Sequence, residues 1–199
     1  MRVNAAQPTQ LILASASPRR RELLERMRLR FEIQPADVEE DNNPVHGPSE
    51  MVAANAALKA SALCSSFPNA LILGSDTTVA LDEEVLNKPA SLGEARAMLQ
   101  RLSGRSHTVY TAVALYWQNG KLEEVFTERS EVEFKPFGVE VIEEYIQLVN
   151  PLDKAGAYGI QQAREMIIES VDGSVENVMG LPVQALAQRL AELKFDFRV

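Results

Sequence analysis

Two short apolar runs, Leu11–Ala14 and Leu71–Gly74, each lead directly into polar residues. Apolar runs of this length, without apolar–polar alternation, are typical of strands buried on both faces of a sheet. Segments with helical periodicity lie between and after the two runs. Because strands that alternate with helices build layered sheets, this order predicts an α/β fold.

Five segments carry apolar residues at the spacing of an amphipathic helix. They run over 17–28 and 49–65, from Ser91 to a stop signal at Gly104, up to Asn150-Pro151, and onward from about Pro182. Ser17 before Pro18 suits a helix cap followed by the first helical position. Ser91 and Glu94 predict a capping box at the start of the third helix.

Hairpin signals make the predicted sheet mixed rather than purely parallel. Asn119-Gly120 joins strands over 108–117 and 122–134, and Asp82-Glu83-Glu84 joins 77–81 to 85–86. Further strands are predicted over 31–34 and 165–171. The 199 residues fit a single domain, and a division into two lobes with 91–150 as the inserted lobe is the alternative.

Charge and composition exclude several classes of protein. A formal net charge of −8 argues against a general nucleic-acid binder, which needs a basic surface. No apolar run approaches the roughly 20 residues of a membrane helix, and residues 1–10 lack the apolar stretch of a secretory signal. The single Cys64 excludes an internal disulfide framework. We therefore expect a cytoplasmic protein without nucleic-acid or membrane partners.

The segment Ser15–Leu24 follows the first strand and predicts an anion site. A strand that turns into a helix presents free backbone N–H groups at the helix N-terminus. Arg19, Arg20 and Arg21 stand in the first turn, where each cation costs about 0.3–1 kcal/mol against the helix dipole. An anionic ligand such as phosphate would offset that cost. Arg20 shares an arc with the apolar residues, whereas Arg21 points away from it, where a solvated basic helix is the favoured interpretation.

Lys59 and Asp76 are candidates for chemistry in the middle of the chain. Lys59 lies within a largely apolar helical arc, and a snorkelling ammonium that reaches water is the alternative. Asp76 follows the second strand, where α/β folds place catalytic groups. It could bind Mg²⁺ or act as a general base, and a turn or cap aspartate is the alternative. Gly74 predicts close approach of another backbone.

Three further segments carry weaker signals. Lys88 follows the first hairpin, and a surface lysine is the default interpretation. In the loop 151–161, Tyr158 and Gln161 could meet a base, although a plain connecting turn is the alternative. Glu40 follows a predicted strand and could supply a second metal-binding carboxylate, with a solvated acidic loop as an equally good interpretation.

Six segments keep one order and spacing along nearly the whole chain, from about Leu11 to Leu193. They are Ser15–Leu24, Gly74–Thr77, Asn87–Pro89, Leu102–His107, Pro151–Gln161 and Gly180–Pro182. Together they resemble the Maf family of nucleoside triphosphate pyrophosphatases. The resemblance implies an α/β protein with a mixed, elongated sheet flanked by helices and two lobes around a central cleft, and a homodimer. It also implies cleavage of a nucleoside triphosphate into a monophosphate and pyrophosphate, with Mg²⁺ or Mn²⁺ as the cofactor.

The resemblance assigns roles to ten residues of this sequence. Asp76 would be the proton acceptor that activates water, helped by Lys59 and Lys88, and the metal would lie between Asp76 and Glu40. Substrate binding would fall to Ser15, Ser17, Arg19, Arg20, Thr77 and Gln161. Of these, Arg19, Thr77 and Gln161 are similar to the selectivity residues of the branch that acts on dTTP and UTP. A 7-methyl-GTP pyrophosphatase and a nucleotide-binding regulator of septum formation are the alternatives.

Overall fold

The structure, a computed structural model, describes residues 7–82 and 84–199. Residues 1–6, which belong to the polar N-terminal segment, and Glu83, in the turn of the first predicted hairpin, lie outside the described residues. Within the described ranges, no helix has both the length and the apolar character that crossing a membrane requires.

The described residues form one mixed sheet of seven strands flanked by helices. The strands are β1 (Leu11–Leu13), β2 (Glu32–Ile33), β3 (Leu71–Leu81), β4 (Glu84–Leu86), β5 (Ser106–Trp117), β6 (Leu122–Phe134) and β7 (Ile168–Asp172). The helices are α1 (Pro18–Arg26), α2 (Pro48–Cys64), α3 (Leu92–Leu102), α4 (Val139–Leu148), α5 (Arg164–Ile167), α6 (Val175–Met179) and α7 (Val183–Glu192). The spatial order is β2-β1-β3-β5-β6-β7, and β4 pairs with β3. The predicted mixed α/β fold is confirmed, whereas the division with 91–150 as a lobe stays a prediction.

The helix caps follow the sequence signals in part. Ser17 caps α1, and its hydroxyl accepts from the Arg20 backbone N–H. Ser91 caps α3 by accepting from the Glu94 N–H at 3.2 Å. The reciprocal bond of a capping box is not made, because the Glu94 carboxylate accepts from the backbone N–H of Ala90 instead.

The prediction of two separate strands around Asp76 is wrong. Pairing with β5 runs without a break from Ile72↔Tyr116 to Ala80↔Thr108, so β3 continues through its polar residues. Asp76 therefore lies in the middle of an 11-residue strand rather than at its exit. The predicted strand over 165–171 also begins differently, because α5 occupies its first residues before β7 starts.

The other edge of β3 has two different partners. Parallel β1 pairs with Leu71–Leu73, and antiparallel β4 pairs with Val79–Leu81. Residues 74–78 lie between these partners, at an opening in the sheet. Side chains alternate along the strand, so Asp76 faces the helix α2 side with Ile72, whereas Thr77 faces the larger core with Val79.

Helix α2 lies directly on β3 at Gly74. A Cβ atom at this position would stand 2.2 Å from the carbonyl oxygen of Ala56 and 2.9 Å from the backbone nitrogen of Ala60. The predicted close approach of a second backbone is confirmed. Since residues four apart share one face of a helix, this contact sets Asn55 and Lys59 against Asp76, the next residue on the same face of β3.

Candidate active site

A cleft of about 1070 Å³ opens beside the middle of β3. Its volume reaches the upper end of the roughly 300–1,000 Å³ typical of small-molecule sites. All ten site residues predicted from the sequence line it: Ser15, Ser17, Arg19, Arg20, Glu40, Lys59, Asp76, Thr77, Lys88 and Gln161. The fold therefore brings together side chains that are separated by up to about 145 positions, although their individual roles stay predictions.

The Lys59 ammonium lies between two carboxylates on the α2 side of the cleft. Its Nζ is 2.8 Å from Asp76 Oδ1 and 3.0 Å from Glu40 Oε1. It also donates to the backbone carbonyl of Ser75 at 3.3 Å, at the open edge of β3. Lys59 is only 7 % exposed, so the snorkelling interpretation is wrong and the cation serves to balance the two acids.

Asn55 is a buried site residue that the sequence analysis did not single out. Its Nδ2 donates to Asp76 Oδ2 at 3.1 Å and to the Asp41 carbonyl at 2.8 Å. Its Oδ1 accepts from the Asp41 N–H at 3.0 Å. The signal available in the sequence is an asparagine four residues before Lys59, because side chains four apart project from one face of a helix.

On the other face of β3, three hydrogen bonds hold the Arg20 guanidinium. Nε donates to the Gly180 carbonyl at 2.9 Å, and the two terminal nitrogens donate to the hydroxyls of Ser15 and Thr77 at 3.1 Å each. Gly180 has a φ of +111°, a left-handed conformation that favours glycine, and it also accepts from the Ser75 hydroxyl. Among the described residues, two of the five N–H groups of Arg20 have no partner and can donate to a ligand.

Burial and the neighbouring carboxylates act in opposite directions on the pKa of Arg20. Burial lowers the pKa of the guanidinium, whereas the carboxylates of Asp76 and Glu40 raise it. An arginine side chain stays protonated in proteins even when buried. Arg20 is therefore a fixed cation that shares the cleft with the carboxylate pair.

The N-terminus of α1 lines the cleft beside Arg20. The Ser15 hydroxyl accepts from the Ser17 N–H at 3.2 Å, and no acidic residue stands in the first turn of the helix. Arg19 extends from the same turn toward Asp153, with 3.7 Å between Nη1 and Oδ2. This end of the cleft combines the positive end of a helix dipole with two guanidinium groups, which suits a phosphate.

A chain of hydroxyl groups fixes the donor direction at Thr77. The Thr111 hydroxyl donates to the Asn177 carbonyl at 2.8 Å. Since that hydroxyl has one proton, Thr77 is the donor in its 3.0 Å contact with Thr111. Thr77 also accepts from Arg20, so one lone pair is all that its hydroxyl has left to offer a ligand.

The remaining predicted residues lie at the rim of the cleft. Lys88 is exposed, and within the described part of the chain no carboxylate pairs with it. Gln161 is also exposed, and its Nε2 lies 3.4 Å from a carboxylate oxygen of Glu22. Both side chains are therefore free to turn toward a ligand at low cost.

Two residues of the loop 151–161 have structural partners. The buried ammonium of Lys154, which the sequence analysis passed over, donates to the Asn150 carbonyl at 2.7 Å and contacts the carboxylate of Asp153. The Tyr158 hydroxyl lies 2.8 Å from His107 Nε2. Burial raises the pKa of Tyr158 and lowers the pKa of His107 to about 4. Tyr158 therefore lines the cleft wall, and its hydroxyl is in hydrogen-bond contact with His107.

The carboxylates of Glu40 and Asp76 fit a hard divalent cation. Each has an oxygen within 3.0 Å of the Lys59 nitrogen, so the two carboxylates lie side by side in the cleft, where Lys59 balances their charge. In proteins, Mg²⁺ is held by oxygen ligands, usually one or two carboxylates together with substrate phosphates. Within residues 7–82 and 84–199, no group of three or more His, Cys, Asp and Glu side chains forms a candidate ion site.

A family described as "Maf-like protein" matches residues 10–193. The chain belongs to the Maf family. The resemblance identified from the sequence motifs is thereby confirmed. Among curated Maf relatives, a dTTP/UTP pyrophosphatase of Symbiobacterium thermophilum is 45 % identical over 186 residues, which cover 94 % of this chain and 95 % of the relative. A dTTP/UTP pyrophosphatase of Bacillus cereus is 41 % identical over 94 % of this chain and 96 % of its own length.

A solved structure extends the likeness of this Maf chain at the level of the fold. The Ham1 protein of Staphylococcus aureus superposes with a TM-score of 0.51 and 15 % identity. The alignment covers 93 % of this chain and 99 % of the Ham1 chain. Both proteins thus share an architecture over nearly their full length.

Proposed function

We propose that this Maf chain is a nucleoside triphosphate pyrophosphatase that hydrolyses dTTP and UTP to the monophosphate and pyrophosphate. One observation carries the proposal: a carboxylate pair held around Lys59 shares a cleft with the cationic N-terminus of α1. The names of the relatives at 45 % and 41 % identity support dTTP and UTP as substrates.

The triphosphate binds at the α1 end of the cleft in this proposal. Arg19 and Arg20 supply fixed positive charge, and the hydroxyls of Ser15 and Ser17 line the same wall. Because the chain carries a net charge of −8, a polyanion needs this local concentration of cations to bind. Lys88, exposed at the rim, swings onto the phosphates as a further cation.

Glu40 and Asp76 hold the divalent metal, Mg²⁺ or Mn²⁺. When bound, it stabilises negative charge on the phosphate oxygens and on the leaving pyrophosphate. The support for this assignment is that two carboxylates, the ligand type that Mg²⁺ prefers in proteins, lie side by side around Lys59 and both line the cleft.

Asp76 acts as the general base that takes a proton from the water attacking the α-phosphorus. Lys59 fixes one of its oxygens and Asn55 the other, so the carboxylate plane is held while each oxygen keeps a free lone pair. A positioned base of this kind contributes about 10²–10⁴-fold to a rate. Lys59 also balances negative charge next to the reacting phosphate.

The base of the nucleotide is selected by Arg19, Thr77 and Gln161. Thr77 offers an acceptor only, since its proton is donated to Thr111, and Gln161 offers an amide that can donate and accept.

The proposal further includes a homodimer in the cytoplasm, with neither nucleic-acid nor membrane partners. Sedimentation equilibrium of the purified chain tests the dimer.

The proposal is tested by pyrophosphate release from dTTP, UTP, CTP, GTP, ATP and 7-methyl-GTP with Mg²⁺ or Mn²⁺. We expect release from dTTP and UTP, with dTMP and UMP as the second products. Release from 7-methyl-GTP alone would keep the reaction but overturn the substrate assignment. No release by folded protein with metal, together with measurable nucleotide binding, would favour the regulatory alternative.

A further inference from the structure

Two neighbouring loop residues are tied to two α2 residues one turn apart. Glu40 pairs with Lys59 at 3.0 Å. Asp41 exchanges two hydrogen bonds with the Asn55 amide, one through its N–H and one through its carbonyl. Asp76 accepts from both α2 side chains, from Lys59 on Oδ1 and from Asn55 on Oδ2. The five residues form one closed network around the carboxylate pair.

The orientation of the Asn55 amide is forced by its partners. The Asp41 N–H requires an oxygen, so Asn55 Oδ1 faces it. The NH₂ group then has its two protons directed at the Asp41 carbonyl and at Asp76 Oδ2. Asn55 is 1 % exposed, so water does not compete for these bonds. A single rigid group therefore relates the acidic loop to the strand acid.

We propose that Asn55 is a positioning residue that sets the separation of Glu40 and Asp76 and thereby the metal affinity of the cleft. The proposal rests on the proposed function, in which these two carboxylates hold the divalent cation. Without the amide, the ion pair between buried Lys59 and the partly exposed Glu40 is the contact that remains, among the described residues, to hold Glu40 near Lys59. Groups that orient metal ligands in this way typically change metal affinity or activity by about 10–100-fold when removed.

Asn55→Leu is the first variant, because leucine has the same four side-chain heavy atoms branched at Cγ and no hydrogen-bonding atoms. Ser103→Ala is the matched control. The Ser103 hydroxyl also makes two bonds to one backbone unit, that of Phe137, but it lies outside the cleft. Both variants lose a pair of side chain-to-backbone hydrogen bonds, and only one of them loses a bond to Asp76.

Three quantities are measured for each protein. Mn²⁺ binding without nucleotide is followed by the electron paramagnetic resonance signal of the free ion, kcat and KM are determined for UTP at saturating Mn²⁺, and thermal unfolding reports folding. For Asn55→Leu we expect the Mn²⁺ Kd to rise and kcat to fall, each by about 10-fold or more, with KM for UTP within about threefold. Ser103→Ala should match the wild-type chain in Kd, kcat and KM.

Folded Asn55→Leu with a Mn²⁺ Kd within twofold of wild type would overturn the proposal whatever its kcat, as would a wild-type chain that binds no Mn²⁺. If the leucine variant fails to fold, Asn55→Ala is measured against the same criteria. A wild-type chain that releases no pyrophosphate from UTP would overturn the proposed function instead, and the Mn²⁺ measurement would still decide the role of Asn55.

Discussion

Gly74→Ala is a perturbation of the fold that should be felt at the site. The added methyl would stand 2.2 Å from the Ala56 carbonyl oxygen and 2.9 Å from the Ala60 nitrogen. Both obstacles are backbone atoms of α2, so no side-chain rotation relieves the contact. Helix α2 must therefore move away from β3 as a body.

The size of that movement follows from the contact distance. Separations below 3.0 Å are essentially never adopted by a Cβ atom, so the helix must retreat by at least about 0.8 Å at Ala56. Overpacking of this kind costs about 1–3 kcal/mol, and backbone obstacles place this case near the upper end. The same shift lengthens the contacts of Lys59 and Asn55 with Asp76. A misplacement of about 1 Å can cost roughly 10²-fold in rate.

Thermal unfolding and steady-state pyrophosphate release from UTP measure the two effects. We expect the midpoint of Gly74→Ala to fall by about 6–12 °C, at roughly 2–4 °C per kcal/mol for a chain of this size, and kcat to fall about 100-fold. Gly93→Ala is the control, because its Cβ would meet only the Ser91 hydroxyl at 3.7 Å. A Gly74→Ala protein with the midpoint and kcat of wild type would refute the argument that this glycine places α2.

Three shorter predictions follow from other parts of the site. Asp76→Asn should lower kcat by about 10²–10⁴-fold without unfolding the chain, whereas the control Asp82→Asn, at an exposed position, should keep the wild-type kcat. An Asp76→Asn protein with the wild-type kcat would remove Asp76 as the base. Arg20→Lys cannot reproduce three directed bonds, so KM for UTP should rise about tenfold or more, while Arg21→Lys leaves it unchanged. Burial lowers the pKa of His107 from 6.5 to about 4, so the unfolded chain binds a proton in this window that the folded chain does not. The free energy of unfolding should therefore fall by up to about 1.4 kcal/mol per pH unit below pH 6.5; His107→Gln should flatten this slope in thermal unfolding between about pH 7 and 4.5, and an unchanged slope would contradict the argument.

The sequence was most informative where a local rule has a local cause. Ser17 caps α1 as its position before Pro18 predicted, since the cap needs only the residues of one turn. Gly74 predicted a close backbone approach because a missing Cβ has few other uses inside a strand. The inward face of Arg20 followed from its angle on the helix, and it is buried with three partners.

The features that the sequence does not predict depend on residues that are remote along the chain. The polar residues after Leu71–Gly74 predict a strand end at Asp76, but residues 108–116 of β5 pair with β3 and carry the strand through them. The sequence does not predict the role of Asn55, because its hydrogen-bond partners Asp41 and Asp76 are 14 and 21 residues away. Tyr158 and His107, whose side chains are in hydrogen-bond contact, are likewise 51 residues apart. Such pairs are set by the topology of the sheet, which no single segment encodes.

The two halves of the cleft are joined through one residue of β3. The Ser75 carbonyl accepts from Lys59 at 3.3 Å on the side of the carboxylates, and its hydroxyl donates to the Gly180 carbonyl at 3.1 Å. Gly180 in turn accepts from Arg20 at 2.9 Å. Because β3 is a central strand paired with β5 over nine register pairs, this one rigid element fixes the distance between Asp76 and the guanidinium of Arg20. A strand that runs through the opening between β1 and β4 can therefore place functional side chains on both sides of the sheet, which a strand end could not. It presents Asp76 to one side of the sheet and Thr77 to the other while it holds both in one register.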